Sequence, residues 1–306
     1  MAANRPAFSL APLLAAATVL AAAILWGSTG TIQAILPADR DPLAVAWLRV
    51  AIGAMTLLLF CLPIAASRAG LSKVPLALAA LAGAAMAVYN LAFFTGVTLA
   101  GVGVGTAIAI GSGPIWVALY EWLLRGRRPS NLQLVGQAIC ITGAIALVAS
   151  NEGAKAPLVG YALTALAGLS YATYSLATSA IGRAAPVGSV AAVTFGLATI
   201  LMAPALLFAG FRWVGPESAA PILFLGIVST GVSYYLFTYG VNRMRTSAAV
   251  TLTLAEPLTA WVLATLVVGE PLSGLKVAGA AILLVGLWIV TQAVAKEAKS
   301  SSKGPT

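Results

Sequence analysis

Glu256 and Pro257 stand near the middle of an apolar stretch, residues 246–269, that reads TSAAVTLTLAEPLTAWVLATLVVG and is long enough for one membrane-spanning helix. A carboxyl group at that depth costs roughly several kcal/mol unless a partner, a cavity or a proton relieves it. Pro257 adds a second demand. Its ring cannot donate to the carbonyl of Thr253 and clashes with it, which frees an acceptor that must be satisfied by protein or water. The residue types allow two readings of Glu256. It could exchange a proton as substrate arrives, or it could stay protonated or paired and complete the kinked backbone.

Rings and small polar groups recur near midspan in other apolar runs. Trp26 opens WGSTGT, Tyr89 and Asn90 are adjacent, Trp116 follows Pro114 in GSGPIW, Tyr171 lies in SYATYS and Tyr234 in SYY. With Glu256 these residues are the expected substrate-binding set, suited to a ligand with an apolar or aromatic body and a zwitterionic head. Any one ring equally suits packing against a neighbouring helix. Pro114 and Pro257 are the expected helix kinks. Arg49 lies inside one end of its run, where it could meet a substrate carboxylate, but its long stem is expected instead to lift the guanidinium to the outer surface, near Asp39 or Asp41. Lys276 is read likewise, Glu121 is expected to pair with Arg125 one turn later, and Trp122 and Trp213 are expected interface anchors.

The inventory also excludes chemistry. With no histidine in the chain, His-based catalysis and proton relays cannot be assembled, and no midspan aspartate serves as an alternative base. No catalytic residue, metal site or cofactor is expected. Cys61 and Cys140 stand apart at or within apolar runs and form no redox or zinc motif. The net charge of +9 is divided among short loops, so nucleic acid is not an expected partner. GVGVG at 101–105 lacks the Gly-Lys-Ser/Thr that a phosphate-cradling loop needs.

The positioning elements follow from composition. Hydrophobic residues make up 60% of the chain and charged ones 8%, far from a soluble average of about a quarter charged. Ten apolar runs are read, at about 11–36, 42–62, 74–98, 103–123, 131–150, 157–181, 187–209, 218–241, 245–268 and 272–294. The first carries a signal-peptide-like stretch but continues through Trp26 to Ile35, so it reads as a spanning helix. Twelve of the lysines and arginines fall at the N-terminus, the even loops with their edges and the C-terminal tail. Arg40, Lys155 and Arg212 alone fall in the odd loops, which places both termini in the cytoplasm.

A shift of 143 residues lays Pro114 on Pro257, Gly126 on Gly269, Gly136 on Gly279 and Gly143 on Gly286; with a one-residue slip, Gly96 falls on Gly240 and Asn90 on Tyr234. This is an internal duplication. Five helices per half is an odd number, so the second half enters the membrane from the opposite side. The expected fold is therefore an all-α membrane protein of ten transmembrane helices in two inverted five-helix repeats around a central cavity. Residues 1–10 form a cytoplasmic N-terminal segment, 11–150 and 151–294 the two repeats, and 295–306 a disordered cytoplasmic tail.

Pro-centred fourth and ninth helices, each followed by a Gly-rich helix (LVGQAICITGAIALV and VAGAAILLVGLWIV), resemble the drug/metabolite transporter superfamily of the EamA type. Residues 255–286 carry the strongest match; the first half has Gly113-Pro114 where that family often has Glu-Pro. The resemblance implies export of metabolites, commonly amino acids, across a bacterial inner membrane, and the branch exporting aromatic amino acids is the expected one. The lipid bilayer and a small-molecule substrate are the expected partners, and a monomer encloses the site. A cationic or amphipathic drug is the alternative cargo; a passive channel and an intramembrane enzyme are the alternatives of another class.

Overall fold

The computed structural model describes residues 11–148, 157–182, 184–269 and 271–301, and among them every regular element is helical. In chain order these are α1 (Ala11–Gly27), α2 (Thr29–Ile35), α3 (Pro42–Cys61), α4 (Ala65–Gly70), α5 (Leu76–Ala100), α6 (Val102–Leu123) and α7 (Asn131–Val148). The second half holds α8 (Leu158–Ile181), α9 (Val187–Met202), α10 (Pro216–Gly226), α11 (Ser233–Val241), α12 (Thr246–Leu252), α13 (Ala255–Leu263) and α14 (Gly274–Ser301). Some of these join end to end, and among the described residues eight rods, four joined and four single helices, are long and apolar enough to cross a membrane. The helices α6 and α8, of 22 and 24 residues, are the other two long ones.

The surface of the bundle is what lipid requires. Leu207, Leu158 and Phe208 are 84%, 82% and 80% exposed, and Leu124, Leu266 and Leu76 also point outward. So much apolar surface would aggregate in water, and in hydrocarbon it costs nothing. Because lipid is as apolar as leucine, the helices are held by close packing of small residues and not by exclusion of water. Alanine accordingly fills the interior of α1, α5 and α9.

Glycines mark the closest crossings, and their contacts come in pairs. A Cβ on Gly136 of α7 would lie 2.8 Å from the Val290 side chain of α14, and one on Gly279 would lie 2.9 Å from the Leu147 backbone nitrogen. The 143-residue shift turns the first contact into the second. It likewise turns the contact of Gly143 with Leu283 into that of Gly286 with Cys140. Positions rise along α7 as they fall along α14, so the two helices run antiparallel. Two further crossings follow the rule approximately, with slips of one to two residues: Gly96 meets Thr164 while Gly240 meets Val19, and Gly83 meets Leu197 while Gly226 meets Ile52. Gly126 and Gly269, matched by the same shift, both take positive φ, 62° and 81°, where a side chain would be strained.

Two ends differ from the sequence reading. Helix α14 continues to Ser301, past the span end expected at 294 and into the expected disordered tail. The residues VAKEAK are good helix formers and extend the rod beyond its apolar part. Pro114 lies inside a continuous α6, whereas the helix carrying Pro257 is broken. The segments 1–10 and 149–156, the latter containing the expected boundary between repeats, lie outside the described residues.

Candidate functional site

Three interruptions of helix converge at one level of the bundle. Between α1 and α2, the Ser28 hydroxyl turns back to the Leu25 carbonyl at 2.6 Å and meets the Ser229 hydroxyl at 3.3 Å. Between α10 and α11, residues Ile227–Val232 widen into a π-helical turn, and the Thr230 hydroxyl donates to the Leu225 carbonyl five residues back at 2.8 Å. Between α12 and α13, the Thr253 carbonyl freed by Pro257 accepts instead from the Glu256 amide at 2.9 Å. The acceptor is thereby satisfied within the chain, and the break points the Glu256 side chain inward.

The cavity at this level draws on both halves. The first supplies Trp26, Thr29, Arg49, Tyr89, Phe93, Phe94, Ala109 and Ile110, and the second Tyr171, Tyr234, Thr253 and Glu256. Its water-accessible volume is about 50 Å³, room for a few waters, so the rings stand close together in this conformation. Trp26 lies edge-on to Tyr171 at 6.2 Å between centroids and 4.7 Å from Tyr234, and Tyr89 is 5.7 Å from Tyr171. The Trp26 Nε1 is buried and has no hydrogen-bond partner among the described residues. One turn further toward the C-terminal ends of α8 and α11, Tyr174 and Phe237 stack at 6.0 Å, and Phe195 lies 4.4 Å from Tyr234. These rings are buried and close the cavity on that side.

The expected set is thus partly gathered. Trp26, Tyr89, Tyr171, Tyr234 and Glu256 line the cavity; Asn90 and Trp116 do not. Asn90 is buried, but its amide nitrogen bonds the Met86 carbonyl at 2.9 Å along its own helix. Trp116 is 36% exposed and turns toward the lipid-facing surface.

Arg49 departs from expectation. It is 7% exposed and lines the cavity, and its Nε donates to the Thr230 hydroxyl of the π turn at 3.3 Å. Snorkelling fails because Arg49 shares a helix face with Ala46, Gly53 and Thr56, all buried at the centre of the protein. That 3-4-7 spacing was the available signal. Trp213 is also buried, with its indole nitrogen on the Gly210 carbonyl at 2.9 Å, so it is a core residue and not an interface anchor.

At the far end of the same helices, Glu121 is 4% exposed and accepts from the Ser247 hydroxyl at 2.5 Å and from Arg245 at 3.4 Å. Gln133 also donates to the Ser247 hydroxyl, at 2.8 Å, and Arg245 reaches the carbonyls of Arg127 and Arg128 at 3.1 Å each and Glu297 at 3.4 Å. The expected partner Arg125 instead lies over the Tyr120 ring, 5.4 Å from its centroid. This cluster ties the ends of α6, α7, α12 and α14 together.

The EamA-like transporter family model matches the chain twice, over residues 13–149 and 158–292. A Bacillus subtilis protein named uncharacterized transporter YwfM is 35% identical over 281 residues, covering 91% of this chain and 94% of its own. A Salmonella typhimurium protein named "Probable amino-acid metabolite efflux pump" is 26% identical over 174 residues, covering 53% of this chain and 58% of its own. A solved crystal structure superposes with a TM-score of 0.80 at 22% identity, over 92% of this chain and 98% of that one, which is a likeness of fold.

Proposed function

We propose a function from the premise that this chain belongs to the EamA-like transporter family. It is a multi-pass membrane transporter, and the reading advanced for it is export of amino acids, aromatic or apolar ones foremost, across the bacterial inner membrane by alternating access. Ten helices cross the bilayer in two inverted repeats, both termini are cytoplasmic, and a monomer holds the site.

The observation that carries this reading is the cavity, walled by rings and closed by residues of both matched halves. The paired glycine contacts support inversion. The contacts between α7 and α14 interconvert under the repeat shift while the two helices run antiparallel, which is consistent with a two-fold axis across the helices and in the membrane plane. Rocking of one half against the other about such an axis exposes one site to each side in turn. The relative named for amino-acid metabolite efflux supports the cargo class. Cationic or amphipathic drugs are the second reading, favoured by Glu256 among aromatic rings.

The test is uptake of labelled amino acids into proteoliposomes, with and without a pH gradient, by the parent and Glu256→Gln. Saturable uptake driven by the gradient in the parent alone makes Glu256 the coupling site. Saturable uptake indifferent to both makes the protein a facilitator with a structural Glu256. Absence of any amino-acid uptake overturns the cargo.

A further inference from the structure

Arg49 and Glu256 are two ionisable side chains inside one cavity at the centre of a membrane protein. Two such groups usually neutralise each other at close range. Here neither takes part in an ion pair among the described residues. Arg49 is instead anchored through its Nε to Thr230, and the hydroxyl of Thr230 is itself fixed to the Leu225 carbonyl across the π turn. That anchor leaves both terminal guanidinium nitrogens without a hydrogen-bond partner among the described residues. A planar fork held by one edge presents its other edge to a carboxylate in bidentate geometry. Glu256 likewise keeps its carboxylate without a hydrogen-bond donor among the described residues, on the break that follows Thr253.

We propose that Arg49 is the receptor for a substrate α-carboxylate and that Glu256 receives the α-ammonium, so the cavity selects zwitterions over amines and over simple acids. The proposal rests on the transport reading above and specifies its ligand. The two charges are supplied by different halves, Arg49 from α3 and Glu256 from α13. A bound zwitterion therefore bridges the halves and neutralises both groups at once. Trp26 adds an unpartnered indole N–H at the same place. A drug site would have no use for Arg49, since a buried guanidinium repels a cationic ligand.

The experiment is competition against labelled phenylalanine uptake in proteoliposomes of the full chain, using phenethylamine, which lacks the carboxylate, and 3-phenylpropionate, which lacks the ammonium. In the parent, unlabelled phenylalanine should compete on the order of tenfold or more better than either analogue, as expected where a site is built to pair a charged group. Arg49→Gln should abolish phenylalanine uptake or erase its advantage over phenethylamine. Arg49→Lys, which keeps the charge and loses the fork, should raise KM more than it lowers kcat. Thr230→Val, which frees the guanidinium without removing it, should do the same more weakly. Equal competition by phenethylamine and phenylalanine in the parent would overturn the proposal whatever the variants do, and would leave amino-acid export standing. No phenylalanine uptake by folded parent would overturn the transport reading and this proposal with it.

Discussion

Replacing Glu121 with glutamine removes one charge from the cluster that ties α6 to α12 while keeping the side chain's length. The Ser247 hydroxyl can still donate to the new amide oxygen, now as a neutral bond, and the ion pair with Arg245 is lost. Charge-assisted hydrogen bonds contribute about 1.5–3 kcal/mol where neutral ones contribute about 0.5–1.5. Arg245 is partly exposed and keeps the carbonyls of Arg127 and Arg128, so the loss on this end is about 1–3 kcal/mol. If the cluster holds the closed end of an alternating-access cycle, that loss shifts the closed-to-open ratio by roughly 5- to 150-fold. Val250 reads the shift, because it is 1% exposed and lies 3.5 Å from where a Cβ on Gly113 of α6 would stand. A cysteine at position 250, with Cys61 and Cys140 replaced by alanine, should react with a membrane-impermeant maleimide faster in Glu121→Gln by a factor in that range. Arg245→Gln should give a similar acceleration, and the double variant should fall short of the product of the two. Unchanged labelling in both single variants would refute the assignment of the cluster as a closure.

Other expectations follow from the same packing. Gly143→Leu places its Cβ against the Leu283 and Gly279 backbones, so α7 and α14 must part and thermal stability in detergent should drop by about 1–3 kcal/mol or more. Gly30→Ala, with nothing within 4 Å, should be neutral in the same assay. The native Cys61 and Cys140 are buried, so folded protein should resist thiol reagents until it is denatured. Trp26→Ala removes a ring in contact with Tyr171, Tyr234 and Phe237 and should lower phenylalanine kcat/KM by at least about tenfold in proteoliposomes, with the fold intact by gel filtration.

Features set by local pattern were legible in the sequence. Apolar runs show where the rods lie because lipid demands them, and the repeat registers Gly126 with Gly269 because both positions need positive φ. Trp26, Tyr171, Tyr234 and Glu256 could be drawn together because midspan depth is read directly from span length. Which face a residue occupies was less accessible. Trp116 and Tyr89 are both near midspan, yet the first faces outward and the second lines the cavity. Arg49 was misplaced by a rule about depth where the deciding quantity was its face, shared with Ala46, Gly53 and Thr56. Glu121 was misread for a different reason. The i,i+4 rule offered Arg125, while the actual partner Arg245 lies 124 residues away and is brought near by the packing of α6 on α12. Pro114 and Pro257 have the same chemistry, but only the second coincides with a broken helix.

The most direct measurement of the central claim is counterflow of labelled phenylalanine into proteoliposomes preloaded with the unlabelled amino acid. Alternating access around one site predicts saturable entry and a transient overshoot of label inside above its outside concentration. Entry that rises linearly with concentration and never overshoots would contradict the account and mark the protein as a passive pore.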